Sequence, residues 1–194
     1  SLMIAQIFLF VLDTVCGFLT LALLVRFAMQ WARTPFRNPL GQFIVAVTDW
    51  MVRPLRRLVP GLFGLDLASL LLAWLWQVAY QGLALGLSGV LSAVSPAPIL
   101  VVAMLAALDV AKIGLYLMIG AVLISAVFSW VNPHAPLAGV FDTLTRPLLR
   151  PFRRVIPPIG GVDLSPLALL LVLQIALFII AGLRQNVMPM MLLS

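Results

Sequence analysis

The sequence predicts an all-α integral membrane protein with four transmembrane helices in two parallel repeats, each with an interfacial amphipathic helix. Of its 194 residues, 63% are hydrophobic and only 9% are charged, and the mean hydropathy is +1.17. A soluble domain cannot hide that much apolar surface, so lipid must solvate part of it. Residues 53–68, RPLRRLVPGLFGLDLA, recur 97 positions later as residues 150–165, RPFRRVIPPIGGVDLS, with eight of sixteen positions identical. We call these segments the first and the second elbow.

The first element is an apolar run over residues 3–25, long enough for a helix to cross about 30 Å of hydrocarbon. No basic region precedes it and Asp13 lies in its middle, which favours a retained span over a cleaved signal peptide. Pro35 and Pro39 predict that this helix ends near Thr34.

The first predicted surface segment begins at Arg26 and has apolar residues at helical spacing: Leu40, Phe43, Ile44, Val47 and Met51. Asp49 and Arg53 are predicted on the opposite face. An amphipathic helix of about three turns is too short to span a bilayer, so we expect it to lie in the interface. Pro54 and Pro60 are expected to break the chain at the elbow.

Residues 67–107 carry no charge and predict a helical hairpin. Its second span covers residues 67–94, its turn lies at residues 95–98, and its third span covers residues 99–131. A second surface segment with the same amphipathic pattern follows, and the fourth span covers residues 164–183.

The repeat extends beyond the elbows, which gives a first repeat at residues 1–95 and a second at residues 96–194. Two spans per repeat give both repeats the same orientation about an axis along the membrane normal. Ten of the twelve Lys and Arg residues fall in the two surface segments. The positive-inside bias therefore predicts a multi-pass protein of the cell inner membrane, with both segments cytoplasmic and both termini facing outward.

Six elbow arginines are candidate binding residues: Arg53, Arg56, Arg57, Arg150, Arg153 and Arg154. In one interpretation they anchor the topology and contact anionic phospholipid headgroups, each adding about 1 kcal/mol of attraction. In the other they form one pseudo-twofold site for a headgroup or a partner. Arg rather than Lys stands at every position and the spacing repeats, as forked contacts to phosphate or carboxylate require. The sequence is compatible with both.

Five further charged residues, four aspartates and one lysine, are candidates in two kinds of position. Asp66 and Asp163 stand directly before apolar runs, where a carboxylate can cap the helix that follows and pair with an elbow arginine. Asp13, Asp109 and Lys112 lie within predicted spans, where charges normally face other helices or water. We predict that these last three form one connected group in the outer half of the bundle, either a structural ion-pair cluster or part of an ion or proton route.

Other chemistry has little support in the sequence. There is no Glu, Cys16 is the single cysteine and His134 is the single histidine. No nucleophile with its base, metal cluster or bis-histidine haem site is evident, so we expect no enzyme activity, no cofactor and no metal. The net charge of +6 is expected to meet anionic lipid rather than nucleic acid.

Several short motifs of this chain occur together in one known family. They are Asn38-Pro39-Leu40 and Arg53-Pro54-x-Arg56-Arg57 in the first half, and residues 129–133, 146–154 and 160–166 in the second. This set resembles the YggT family of small membrane proteins, although the first half has Asp49-Trp50 where the second has Arg146-Pro147. The resemblance implies a fold and a location, and it brings no agreed catalytic residues.

What the family is associated with sets the functional expectations. Bacterial members are associated with osmotic tolerance and cell-division gene neighbourhoods, and plastid relatives with haem attachment to a membrane cytochrome and with membrane or nucleoid organisation. We expect a non-enzymatic assembly, scaffolding or partner-binding protein whose elbow arginines contact anionic headgroups, a membrane-protein partner or a second copy of the chain. The alternative is a small oligomeric ion channel or transporter that uses Asp13, Asp109 and Lys112.

Overall fold

A computed structural model describes residues 1–88 and 96–191 of the chain. Within these ranges the helices follow in this order: α1 (Leu2–Trp31), α2 (Pro39–Arg56), α3 (Leu67–Leu87), α4 (Pro96–Val131), α5 (Ala138–Val155) and α6 (Ser165–Val187), with a short 3-10 helix at Met188–Met191. Four of them, α1, α3, α4 and α6, are long and apolar enough to cross a membrane, which confirms the four predicted spans as helices. Residues 89–95, where the predicted second span ends and its turn begins, lie outside the described residues.

Helix α1 continues past the predicted apolar run to Trp31, because Arg26 finds polar partners on α2 instead of water. The helix ends where Arg33 adopts a left-handed φ of 54°. The N–H of Thr34 then donates to the carbonyl of Met29 at 2.8 Å. This closing pattern usually has Gly at the left-handed position, and here it ends α1 just before the predicted boundary.

Each surface segment contains one 18-residue helix rather than a three-turn helix followed by a break. Helix α2 continues through Pro54 to Arg56, and α5 continues through Pro147 and Pro151. The predicted break at Pro54 is therefore wrong. Each proline removes one backbone hydrogen bond and crowds the carbonyl four residues before it, yet both helices continue through these positions. As a result, five of the six elbow arginines lie on helices, and Arg57 directly follows α2.

Close packing and polar contacts join the spans, because lipid provides little hydrophobic drive for helix association. Helix α1 packs against α3, and α4 packs against both α3 and α6. Small buried residues allow this close approach: Ala22, Ala68, Ala73, Ala106 and Ala121. Gln77 of α3 also donates to Oγ1 of Thr20 on α1 at 2.9 Å, a buried contact between two spans.

Helices α2 and α5 lie at the same end of the four spans, which we call the elbow end. Leu23 of α1 and Val52 of α2 are buried in one cluster, and Val122 of α4 meets Leu149 of α5 in another. A third cluster contains residues of α1, α2, α4 and α5, so the two halves of the chain meet there.

Both elbows contain the same two-residue turn. Leu62 and Leu65 flank Phe63 and Gly64, and residues 159–162 form the equivalent turn around two glycines. All four central residues have left-handed φ values, between 55° and 78°. Such turns favour glycine, so Phe63, whose side chain is 99% exposed, is the exception.

Candidate functional site

Asp66 is the centre of a buried polar network at the first elbow. Its side chain is 1% exposed, and it caps α3 by accepting the N–H of Ser69. Arg56 makes a forked contact with it, in which Nη2 donates to Oδ2 at 2.8 Å and Nε donates to Oδ1 at 3.4 Å. Gln30 of α1 donates to Oδ2 at 3.4 Å. One carboxylate thus connects α1, α2 and α3.

The environment of Asp66 changes its protonation equilibrium. Burial alone would raise the pKa of this carboxyl, but hydrogen bonds from Arg56 and Ser69 outweigh burial, so the pKa lies below its ordinary value. The stability that the carboxylate contributes is therefore present above the ordinary pKa and is lost as the pH falls through the lowered one.

Arg26 extends this network to α2. The sequence places Arg26 in a surface segment, whereas the structure places it inside α1 with 5% exposure. Its Nη1 donates to Oδ1 of Asp49 at 2.7 Å and to Oγ1 of Thr48 at 2.9 Å. Its Nε lies 3.3 Å from Oδ2 of Asp66 but is not aligned for a hydrogen bond, so that contact is electrostatic only.

The predicted outward position of Asp49 is wrong. Asp49 faces α1, where it pairs with Arg26, and its other oxygen lies 3.1 Å from Nη2 of Arg53. The sequence interpretation missed Arg26 and Thr48 as network residues. The available signal was Arg26 and Gln30, two polar residues at i and i+4 beyond the apolar run, which share one helix face.

The second elbow has the equivalent ion pair in an exposed position. Nε of Arg153 donates to Oδ2 of Asp163 at 3.0 Å, and the two side chains are 44% and 41% exposed. Ser165 and Arg153 together lower the pKa of Asp163. Of the two polar groups of Ser165, the N–H donates to Oδ1 of Asp163 at 2.9 Å, whereas the hydroxyl makes no hydrogen bond with any described residue. This pair is screened by solvent and stabilises less than its counterpart.

Four arginines on one face of α5 line a cleft beside the second elbow. The cleft has a volume of ≈ 700 Å³ and these lining residues: Ala32, Thr143, Arg146, Pro147, Arg150, Arg153 and Arg154. All four arginine side chains are exposed. Arg146 pairs with Asp142 at 2.6 Å, whereas Arg150 and Arg154 contact no carboxylate in the part of the chain that the structure describes. We call this feature the arginine cleft.

The arginine cleft contains three of the six predicted binding arginines and adds Arg146, which the sequence interpretation missed. The other three lie on or just after α2. Of these, Arg53 contacts Asp49 and Arg56 contacts Asp66. Two of the first-half guanidinium groups are therefore already engaged with carboxylates.

A second polar group lies within the spans, around Asp109 of α4, which is 6% exposed. Gln81 of α3 and Arg184 of α6 both donate to its carboxylate. Nζ of Lys112 lies 3.8 Å from the same carboxylate, so the predicted pairing of Asp109 with Lys112 is present. The fourth span was predicted to end at residue 183, but α6 continues to Val187 and carries Arg184 into this group.

Asp13 does not belong to this group. It is exposed on α1, and no hydrogen bond or ion pair joins it to another side chain within residues 1–88 and 96–191. The prediction that Asp13, Asp109 and Lys112 form one connected group is therefore wrong with respect to Asp13. Most residues in the N-terminal half of α1 are exposed, Asp13 among them.

Comparison with known proteins gives one family. The family model described as CCB3/YggT matches residues 5–87 and 104–184. The chain is 40% identical over 167 residues to the Uncharacterized protein YggT of Escherichia coli, a match that covers 86% of this chain and 85% of that protein. An uncharacterized protein of Pseudomonas aeruginosa is 38% identical over 174 residues, which cover 86% of this chain and 84% of the relative. A Vibrio alginolyticus protein is 35% identical over 171 residues, covering 88% and 91%. No solved structure matches the chain.

Proposed function

The chain belongs to the CCB3/YggT family, and from this premise we propose that it is a non-enzymatic membrane protein whose arginine cleft binds an acidic group. That group is carried by a lipid headgroup or by a membrane-protein partner, which the protein thereby positions or assembles. The names of the similar proteins indicate no ligand, so the arrangement of arginines in the cleft is what supports this proposal.

One observation carries the proposal: the arginine cleft has more positive charge than its own carboxylates neutralise. Four arginines line it, while Asp142 and Asp163 are the carboxylates that pair with them among the described residues. Arginine presents a planar fork of donors that matches phosphate and carboxylate oxygens. Exposed guanidinium groups on one helix face can therefore converge on one acidic group without first breaking a buried ion pair.

The placement of the cleft relative to the membrane is part of the proposal. We infer that the two halves are parallel repeats, that α2 and α5 lie in the cytoplasmic interface of the inner membrane, and that both termini face outward. The concentration of Lys and Arg at the elbow end supports this orientation through the positive-inside bias. The cleft would then lie at the depth of the phospholipid headgroups, where anionic lipids attract basic segments.

The proposed binding to the cleft is tested by removing the two arginines that pair with no carboxylate in the described part of the chain. Purified Arg150→Ala/Arg154→Ala protein should lose most of its binding to phosphatidylglycerol, measured by native mass spectrometry, because both guanidinium groups lack a carboxylate to neutralise them. The matched control is Arg53→Ala/Arg57→Ala, which removes the repeat-equivalent charges from the first half and should bind as the wild type does. Equal losses in the two variants would contradict the proposal.

The same variants test the protein-partner form of the proposal. A partner that is recovered in stoichiometric amount from native membranes with the wild type and the control, and lost with Arg150→Ala/Arg154→Ala, would support it. Arg150→Lys/Arg154→Lys keeps the charge and removes the fork. Full binding by this variant would show that charge alone is sufficient and that no forked contact is made.

A second candidate function is a small ion channel or transporter, and the buried carboxylate of Asp109 within the spans favours it. Its contacts with Arg184, Gln81 and Lys112 neutralise the carboxylate, which also suits a structural ion-pair group. An ion flux through liposomes that Asp109→Asn abolishes would support this function, and no flux from the folded wild type would exclude it.

A further inference from the structure

An apolar cavity of ≈ 660 Å³ lies between the spans at the elbow end. Its lining residues come from all six described helices except α2, together with Leu65 before α3, and all are apolar or glycine. Trp31 of α1, Leu148 of α5, Gly114 of α4 and Ile180 of α6 mark its extent. We call this feature the apolar cavity.

The lining of the apolar cavity restricts what can fill it. Water needs two to four polar partners to occupy a buried site, and this lining offers none beyond the Trp31 ring nitrogen. Its volume falls in the range of about 300–1,000 Å³ that small-molecule sites occupy. The suitable occupant within a membrane is therefore a hydrocarbon chain.

The apolar cavity and the arginine cleft are lined by neighbouring residues on two helices. On α1, Ala28 and Trp31 line the cavity and Ala32 lines the cleft. On α5, Leu144 and Leu148 line the cavity, while their neighbours, among them Pro147, line the cleft. A molecule that lies across this edge would meet hydrocarbon on one side and guanidinium groups on the other.

We propose that this combined site holds one anionic phospholipid, with its phosphate on Arg150 and Arg154 and one acyl chain in the apolar cavity. This inference rests on the function proposed above, because the headgroup uses the same cleft. It adds the class of ligand and the position of its acyl chain. Charge complementarity selects the anionic headgroup, and the apolar lining selects an acylated ligand over a free phosphate or an acidic peptide.

Filling the cavity without touching the cleft tests the proposal. A Cβ at Gly114 would have no atom within 4 Å, so Gly114→Leu can be accommodated and its side chain would occupy the cavity. Gly120→Leu is the matched control, because Gly120 lies on the same helix, is equally open and is not part of the lining. Phosphatidylglycerol with brominated acyl chains is the probe, and quenching of Trp31 fluorescence is the readout, with Trp31→Phe as the reference for the other tryptophans.

We expect wild type and Gly120→Leu to show the same Trp31 quenching and to bind one phosphatidylglycerol per chain by native mass spectrometry. Gly114→Leu should weaken this binding by at least about tenfold, since each methylene kept out of the cavity lowers affinity severalfold. Brominated phosphatidylcholine should quench less than phosphatidylglycerol in the wild type. Glycerol phosphate alone should not displace the lipid at equal concentration.

The outcomes separate this inference from the function it rests on. If Gly114→Leu binds as tightly as Gly120→Leu while Arg150→Ala/Arg154→Ala loses the lipid, the acyl chain lies elsewhere and only the inference is overturned. If the arginine variant also binds normally, both proposals fail. If the wild type is a dimer that Gly114→Leu converts to a monomer, a second copy fills the cavity and the inference is overturned.

Discussion

The two elbows contain the same aspartate–arginine pair in opposite environments. Asp66 is 1% exposed and shared among three helices, whereas Asp163 is 41% exposed and pairs with Arg153 alone. The two pairs are nearly equal in length, 2.8 Å and 3.0 Å. Arg56 makes two hydrogen bonds to its carboxylate and Arg153 makes one, but the length of the shortest contact does not distinguish the elbows. The difference lies in what surrounds each carboxylate.

Two sequence differences at positions 97 residues apart account for this contrast. Leu123 stands where the first half has Arg26, and Arg146 stands where it has Asp49. Leu123 has no guanidinium group and is 49% exposed, so α4 has no counterpart of the buried Arg26 that reaches α2. Arg146 then adds positive charge at the point where the first half has a carboxylate. The same local pattern thus gives a closed network in one half and an open cationic face in the other.

The contrast separates a structural role at the first elbow from the binding role that we propose for the second. Buried, mutually satisfied charges hold α1, α2 and α3 together, and breaking such a set is costly. Exposed arginines without carboxylates stabilise the fold little, so they are available for an external acidic group. A motif that occurs twice need not have the same role twice, and burial decides which role each copy has.

The largest expected effect comes from removing the charge of each aspartate in turn. Asp66→Asn should lower the free energy of unfolding by about 3–5 kcal/mol, because it leaves the buried Arg26 and its neighbours without one of their carboxylates. Asp163→Asn should lower it by about 0–1 kcal/mol, as for exposed pairs. Denaturant unfolding in detergent micelles measures both.

The two variants also check each other. Their side chains change by the same atoms at repeat-equivalent positions, so general effects of the substitution cancel. Losses of equal size would contradict the distinction between a closed and an open elbow. The difference should also shrink in acid, because the stability due to each carboxylate is lost as the pH falls through its lowered pKa.

An intermediate effect is expected when the first elbow receives the residues of the second. Asp49→Arg places a second guanidinium beside Arg26 and should be destabilising, since like charges then share a half-buried site. Adding Arg26→Leu removes that repulsion, so the double variant should be more stable than Asp49→Arg by about 1 kcal/mol or more, within the range of about 0.5–3 kcal/mol seen for coupled residues.

The four variants of this cycle, including wild type and Arg26→Leu, are compared by unfolding in the same detergent. Strict additivity of the two substitutions would mean that Arg26 and Asp49 do not act as a pair. The double variant should also bind more phosphatidylglycerol than the wild type, because Arg53 would lose its carboxylate partner and join an open cationic face.

The sequence predicted the helices of this fold better than the contacts between them. Hydropathy located four spans, and the repeat located both surface helices, because these signals depend on local composition. The contact of Asp49 with α1 was missed, since a helix pattern gives faces but not neighbours. Arg184 reaches Asp109 for the same reason: the approach of α4 to α6 is a tertiary fact that one sequence does not contain. Pro54 within α2 shows the reverse error, in which a local rule was overridden by packing.

The smallest expected effect concerns the turns that follow the two helices. Phe63 holds a left-handed φ of 55°, which costs a residue with a Cβ about 1–2 kcal/mol, whereas Gly160 adopts a φ of 61° without that cost. Phe63→Gly relieves the strain but makes the unfolded chain more flexible, at a cost of about 0.4–1 kcal/mol. Since the Phe63 side chain is 99% exposed, it has little packing to lose, and a net gain of about 0.5–1 kcal/mol remains.

Gly160→Phe is the reciprocal change and should destabilise by a similar amount in the same unfolding assay. A loss of stability for Phe63→Gly in bilayers but not in short-chain detergent would identify another contribution, the insertion of the aromatic ring into the headgroup region. A loss in both environments would contradict the strain argument. In that case the two turns differ by contacts of the ring itself, and the contrast between the elbows would extend beyond their charges.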